Sequence, residues 1–272
     1  MLESRLLHTP PLFSAKVLLL LSQFALVPTN EIRKCMVHGY YRGHDCPSCG
    51  EEGKFILSDE EVDMLGRIIT GILRHKPEKY HLEISDRGYV NIDEMVQEIR
   101  FYYRRFHFVG PSHIFAIILT DQKGRYQLSD NKRYLRATYG HSIDVDLTDL
   151  PSDSIPEVLY YPTNKEEFEI LRENGILPSD RRWIHLSSSK EKAYIAGLYH
   201  FDAPLVIPLK SDAIVGAGEN IYHAGQEVFI CKFVPPVSMS EPEEYEGQID
   251  EETLREIKFS KEKKMRVKQE GW

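Results

Sequence analysis

Four side chains near the N-terminal end have the types and spacing of a metal site. Cys35-Met-Val-His38 is followed, after seven residues, by Cys46-Pro-Ser-Cys49-Gly50. Each pair is spaced i, i+3, so each tight turn presents two soft ligands on one side of a backbone reversal. Two such turns close a tetrahedron, as in the knuckles of a zinc ribbon. Gly50 suits a turn whose N–H groups face the thiolates. His44 competes with His38 for the fourth position. Cys35, His38, Cys46 and Cys49 would all come from protein and leave no open position, so the expected role of zinc is structural. The remaining cysteine, Cys231, lies in the apolar stretch FICKFV and reads as a buried strand residue.

A second set of polar residues is scattered. Arg74 and His75 stand side by side, Arg136 stands in an apolar strand, and Gly140-His141-Ser142 follows shortly after it. Lone arginines and histidines at helix ends usually compensate the helix dipole. Together, guanidinium forks and an imidazole are the equipment for gripping a phosphate.

The elements that must position them can be read from pattern. Ser58 with Glu61 is a capping box. The helix behind it carries Val62, Leu65, Ile68, Ile69, Ile72 and Leu73 on one face and ends at Arg74-His75, ahead of Pro77. A second helix starts near Asn91, with Met95, Val96 and Ile99 inward, and a third near Ser112. Two strands, 124–128 and 133–137, are joined by Ser129-Asp-Asn131. Three helices and a hairpin are the order of a winged helix. The next stretch is rich in strands, at 158–161, 181–187, 204–209 and 227–234. Thr163 with Glu166 caps one helix carrying Phe168, Ile170 and Leu171, and Ser187–Ser189 opens another. This order, without βαβ regularity, gives an α+β fold. It supplies neither a GxGxxG nor a GKT loop.

The chain has 272 residues, enough for one large domain or two ordinary ones. With 42% hydrophobic and 28% charged residues it is globular, and four cysteines exclude a disulfide scaffold. The net charge of −8 argues weakly against nucleic acid, but charge is uneven along the chain. Acidic residues crowd Glu241–Glu256, and lysines follow from Lys258. Residues 238–272 therefore read as a charged, poorly packed tail. Residues 12–27 form an apolar run bracketed by prolines, shorter than a membrane span. It fits a signal-peptide core, an anchor, a packed helix or translation from an upstream start. The cysteine motif favours a reducing, cytoplasmic setting and no membrane partner, which disfavours export, and of the two remaining readings an upstream start is preferred for residues 1–30. The expected units are 31–54 for the knuckle, 55–148 for the first lobe and 149–237 for the second.

Four separated blocks resemble the RNA 2′-phosphotransferase family. Leu73-Arg74-His75-Lys76-Pro77-Glu78 with Ser85-Asp-Arg-Gly88-Tyr-Val90 is similar to its opening block. Leu135-Arg136-Ala137 before Gly140-His141-Ser142 resembles the second. Gly175-Ile176-Leu177, Arg181 and Ile184-His185-Leu186-Ser187 resemble the third, and Val234-Pro235-Pro236 the closing element. The similarity covers about residues 55–237, and the zinc knuckle looks like an extra module of some archaeal relatives.

The resemblance implies an RNA-facing winged-helix lobe and an ADP-ribosyltransferase-like lobe that holds NAD⁺ as co-substrate. The implied substrate is RNA bearing an internal 2′-phosphate, as at a tRNA splice junction. In the first step this phosphate attacks the nicotinamide ribose and nicotinamide leaves. In the second the neighbouring ribose hydroxyl attacks the phosphate. The products are 2′-OH RNA and ADP-ribose 1″,2″-cyclic phosphate. By the resemblance, Arg74, His75, Arg136 and Arg181 are catalytic, with Arg182 the competitor of Arg181 across one strand. Tyr161, Thr163, His141, Ser142, His185 and Ser187 would hold NAD⁺. The chain departs from the family at Tyr161-Pro162-Thr163, in place of His-Gly-Thr, and at Thr138-Tyr139, in place of Asn-Gln. Two other readings stay open: a zinc and winged-helix nucleic-acid-binding module with weakened catalysis, and an ADP-ribosyltransferase acting on phosphorylated nucleic-acid ends.

Overall fold

The computed structural model describes residues 29–179 and 181–269, and the apolar run at 12–27 lies outside them. The chain divides into two compact units, Met1–Val62 and Asp63–Trp272. In the first, β1 (Ile32–Cys35), β2 (Gly39–Arg42) and β3 (Lys54–Leu57) form an antiparallel sheet in the order β2-β1-β3. Cys35 pairs with Gly39 at the closed end of the β1–β2 hairpin, which leaves His38 in the turn. The second turn carries Cys46 and Cys49. It closes through Gly50 N–H to the Cys46 carbonyl at 2.8 Å, with Gly50 at φ 73°, a conformation a side chain would strain.

Helix α1 (Asp59–Arg74) starts at the expected capping box. The Ser58 N–H donates to Glu61 Oε2 at 2.9 Å, and Glu61 N–H donates back to Ser58 Oγ at 3.4 Å. In the second unit a 3₁₀ turn (Pro77–Tyr80) leads to β4 (Val90–Asn91), α2 (Ile92–Tyr102), α3 (Pro111–Leu119), β5 (Tyr126–Leu128) and β6 (Tyr134–Ala137). Asn91 caps α2 as expected, accepting from Asp93 and Glu94 N–H groups. The hairpin gains β4, which the sequence pattern did not reveal because it is two residues long. The sheet order is β4-β6-β5, so β6 and its Arg136 sit in the middle.

The remainder is built on a five-stranded antiparallel sheet, in the order β10-β11-β8-β7-β9. Its strands are β7 (Val158–Thr163), β8 (Ile184–Ser187), β9 (Leu205–Lys210), β10 (Tyr222–Gly225) and β11 (Val228–Cys231). Leu159, Ile184, Leu186, Ile207, Leu209 and Phe229 form its core with Cys231, which is buried as expected. Burial pushes the Cys231 thiol up to about 12. Helices α4 (Lys165–Asn174), α5 (Lys190–Leu198) and α6 (Ser211–Gly216) complete the unit. The α+β reading of the chain therefore holds at the level of mixed helix and sheet.

Several expectations need correction. The cap of α4 is Asn164, which accepts from Glu167 N–H at 2.7 Å. Thr163 is a fully buried strand residue whose hydroxyl donates to Glu167 Oε2 at 3.0 Å. Ile170 is exposed, because only the Phe168 side of α4 meets the sheet. Arg181 and Arg182 precede β8, so strand alternation does not govern which of them faces inward. The tail is packed rather than loose over its first part, from Met239 to Ile257. Bridges join Leu209 to Met239 and Val206 to Glu243, Tyr245 meets the Tyr194 ring at 5.0 Å, and α7 (Glu251–Gln269) buries Ile257. The acidic run thus hides a few apolar anchors too sparse to show a period. Among the described residues no helix is long and apolar enough to cross a membrane.

Candidate active site and metal cluster

The donor atoms of Cys35, His38, Cys46 and Cys49 all lie within 4.8 Å of one another. Cys35 Sγ is 3.8 Å from Cys49 Sγ and 3.5 Å from His38 Nδ1, and Cys46 Sγ is also 3.5 Å from His38 Nδ1. A tetrahedral ion with metal–sulfur bonds of about 2.3 Å and metal–nitrogen bonds of about 2.05 Å would set these separations near 3.8 and 3.6 Å. The donor set fits a metal ion of that size. Backbone N–H groups of His38 and Val37 hold the Cys35 thiol below its ordinary range. His44 is not part of the cluster. It is exposed and its Nδ1 pairs with Asp45 at 2.8 Å.

A separate cleft of about 530 Å³ opens in the second unit. Strands β7 and β8 share one pair, Tyr160 with Ser187, whereas β7 and β9 pair along the whole strand. Past Tyr160 the two strands therefore part. The cleft fills the gap, with Tyr161 and Pro162 on one wall and His185 and Ser187 on the other. Pro162 lies where pairing with β8 has ended, so its missing N–H interrupts no β7–β8 ladder.

The loop Gly140-His141-Ser142 gathers the separated blocks at the mouth of this cleft. Gly140 N–H donates to His185 Nε2 at 3.1 Å, so that nitrogen is the unprotonated one. The Gly140 carbonyl accepts from Arg181 Nη1, and the His141 carbonyl accepts from Arg182 N–H at 3.3 Å. Ser142 N–H donates to the Arg74 carbonyl at 3.0 Å, and Ser142 Oγ lies 3.0 Å from His75 Nδ1. Gly140 has φ 85°, and a Cβ there would lie about 3.0 Å from the Arg74 guanidinium. Only glycine serves both the turn and the close approach.

Arg74 is the residue this loop cradles. Its guanidinium lies over the Tyr139 ring at 4.5 Å, and Tyr139 in turn meets the His185 ring edge-on at 6.0 Å. Buried Nε and Nη2 of Arg74 have no hydrogen-bond partner. Burial pulls the guanidinium below its ordinary pKa. A desolvated cation with two unused donors is a receptor for an anion.

The structure brings Arg74, Arg181, Tyr161, His185 and Ser187 to the cleft, with His75 and Ser142 bonded to each other beside Arg74. It does not bring Arg136, Thr163 or His141 to the cleft wall. Arg136 is wholly buried. It donates to Gln127 Oε1 at 2.5 and 2.8 Å, to the Arg87 carbonyl at 3.2 Å and to both Asp149 oxygens at 2.9 and 3.0 Å. Burial opposes ionisation of Asp149, but the Arg136 hydrogen bonds hold its carboxyl below the usual range. His141 is 2% exposed, with both ring nitrogens unpartnered. Burial, then the Arg74 charge, lowers its pKa to about 3, so its imidazole is neutral.

Residue-by-residue reading missed Tyr139 as the plate under Arg74, Asp149 as the counter-ion of Arg136, and His200 and Phe201 in the cleft wall. Asp149 had a signal, since an arginine in an apolar strand needs a carboxylate somewhere.

The model of the RNA 2′-phosphotransferase, Tpt1/KptA family matches residues 59–233. A probable RNA 2′-phosphotransferase of Thermoplasma acidophilum is 39% identical over 227 residues, covering 84% of this chain and 94% of the relative. Its counterpart in Thermoplasma volcanium is 37% identical, over 86% of this chain and 97% of the relative. Another from Archaeoglobus fulgidus is 38% identical, over 76% of this chain and 92% of the relative. The matched span contains the loop, the cleft and every residue they gather, and on that extent of likeness the chain is an enzyme that belongs to the RNA 2′-phosphotransferase family.

Proposed function

We propose that this chain removes an internal 2′-phosphate from RNA by transferring it to NAD⁺, through an RNA-linked intermediate, and that Arg74 receives the phosphate. The observation that carries the reading is the Arg74 guanidinium, desolvated, plated on Tyr139 and left with two unpartnered nitrogens beside the cleft. Bound NAD⁺ supplies the electrophilic ribose carbon. The chain's own residues bind, orient and shield.

Arg74 offers Nε and Nη2 to two phosphate oxygens. His75, fixed through Nδ1 by Ser142, stands next to it as the proton carrier. Arg181, anchored on the Gly140 carbonyl, stabilises charge on the phosphoryl oxygens as the second step proceeds. Arg136, wholly buried with every nitrogen spent, acts as a positioning residue and not as the catalytic group that the resemblance implied. Through Asp149 and the Arg87 carbonyl it braces the framework beside the loop. Tyr161, His185 and Ser187 line the co-substrate cleft, while His141 and Thr163 act from behind it. The sheet β4-β6-β5 with α1–α3 serves as an RNA-facing winged helix, and the five-stranded sheet as an ADP-ribosyltransferase-like lobe. The Cys₃His cluster holds a structural zinc ion, since four protein donors complete the tetrahedron.

The test is incubation with 2′-phosphorylated RNA and NAD⁺, following nicotinamide release and loss of the RNA phosphate. Both should occur in the wild type. In Arg181→Ala the second step should slow by about 10²–10³, the cost of one lost transition-state donor, and the RNA-linked intermediate should accumulate. Arg182→Ala should behave as wild type. A stable ADP-ribosylated product with the wild type would favour transfer to phosphorylated ends instead. RNA binding without nicotinamide release would favour a binding module.

A further inference from the structure

One exposed face of the second unit is not used by the cleft. Phe101 is 76% exposed, Tyr102 37% and Phe108 38%. Their rings are linked rather than scattered. Phe101 meets Tyr102 at 5.2 Å, Tyr102 stacks on His81 at 6.3 Å and meets Tyr80 at 5.1 Å. Tyr80 stacks on Tyr103 at 6.4 Å, and Phe106 connects Tyr103 to Phe108 at 6.5 and 6.3 Å. Scattered exposed aromatics need no explanation, but exposed rings tied to one another through the buried Tyr80 and Phe106 mark a contact surface.

The charge of this segment runs against that of the chain. No Asp or Glu occurs between Glu98 and Asp121, while Arg100, Arg104 and Arg105 do, in a protein of net charge −8. Arg104 is exposed next to the rings. Arg100 is spent on the Val109 carbonyl. The facing carboxylate is Glu98, at 3.8 Å from His81. Flat rings interleaved with cations are the composition of a single-stranded nucleic-acid platform, where bases stack and arginines meet phosphates.

The face is also close to the chemistry. His75 and His81 are six residues apart, so the chain between them spans no more than about 22 Å. A strand of a few nucleotides bridges that distance.

We infer that the face formed by Phe101, Tyr102, Arg104 and Phe108 with His81 is where single-stranded RNA flanking the 2′-phosphate stacks. The inference rests on the phosphotransferase reading and adds to it where the rest of the substrate lies. It makes the enzyme sensitive to substrate length, because a dinucleotide whose phosphate sits on Arg74 does not reach the platform.

The test compares a 2′-phosphorylated dinucleotide with a 2′-phosphorylated oligonucleotide of roughly ten nucleotides, long enough to occupy an ssRNA site. Wild type should show the higher kcat/KM on the longer RNA. Phe101→Ala should raise KM for it about tenfold, the effect of one lost base stack, and leave the dinucleotide unchanged. Phe101→Trp should restore it. Arg104→Ala should weaken the longer RNA and flatten its log–log salt dependence by about 0.7, one phosphate contact on a single strand. Equal rates on both RNAs in the wild type, or equal losses on both in the variants, would overturn the inference while leaving the function intact. So would a wild-type dimer that Phe101→Ala makes monomeric, since the face would then be a self-interface. Absence of turnover on either RNA would instead remove the phosphotransferase reading on which the inference stands.

Discussion

The metal cluster and the cleft are both gatherings of polar side chains, yet they are assembled over different lengths of chain. Cys35, His38, Cys46 and Cys49 span fifteen residues, and two tight turns on one small sheet bring their donors within 4.8 Å. Arg74, Gly140, Arg181 and His185 span more than a hundred residues and meet only because one loop bonds to all of them. The cluster has a full complement of donors for an ion. The cleft has a desolvated guanidinium with two unpartnered nitrogens. On the proposed reading the first arrangement is completed by a resident ion and the second by a substrate that comes and goes. A folding site gains from closing every coordination position, whereas a turnover site keeps an uncompensated charge and draws on the rest of the fold to hold it.

The largest effect that would sharpen this contrast is metal removal. Chelation, or Cys46→Ser, should release about one zinc per chain and unfold the β1–β3 sheet, since such sites contribute about 10–16 kcal/mol of apparent binding energy to folding. Metal analysis with amide exchange over residues 32–57 checks this. Unchanged protection after the metal is stripped would place the cluster outside the folding energetics.

Next in size is the response to acid. His141 is buried and neutral, with its pKa lowered to about 3. The unfolded chain binds its proton near pH 6.5 and the folded chain does not. Stability is therefore full above pH 6.5 and falls as pH drops from there toward 3, by at most about 5 kcal/mol. His141→Gln should flatten that slope in denaturant titrations run across the window. A slope that survives the substitution would assign the acid response to other groups.

The two desolvated arginines divide the same way as the two sites. Asp149→Ala strands the Arg136 charge and should cost about 3–5 kcal/mol of stability, and adding Arg136→Met should recover most of it. Arg74→Ala should do the reverse. Activity should fall by about 10²–10³ while the melting temperature holds or rises, because an unpaired desolvated cation is removed. A large loss of stability from Arg74→Ala with modest loss of rate would show that Arg74 is a structural residue like Arg136.

Much of this was written in local pattern. The Ser58 and Asn91 caps, the apolar face of α1, the ligand spacing of the knuckle and the burial of Cys231 depend on neighbours within a few residues, and each stands as the sequence pattern indicates. The cap of α4 slipped by one residue, because Thr163 and Asn164 are both capping types and only the strand's burial of Thr163 separates them. The packing of the tail was hidden because Ile257 and Tyr245 are isolated anchors in a charged stretch, without the period that reveals a buried face.

By itself the sequence determined residue chemistry and local geometry: three thiols and an imidazole at turn spacing, arginines in separate blocks, and glycine at position 140. Tertiary structure alone decided which nitrogens are spent. It committed every Arg136 nitrogen to Gln127, Arg87 and Asp149, left Arg74 with two bare ones, chose His38 over His44, and parted β7 from β8 to open the cleft. The reason is that a donor's fate depends on which acceptors reach it within about 3 Å. For residues far apart in the chain, that distance is set by packing of the whole unit and not by spacing along the sequence.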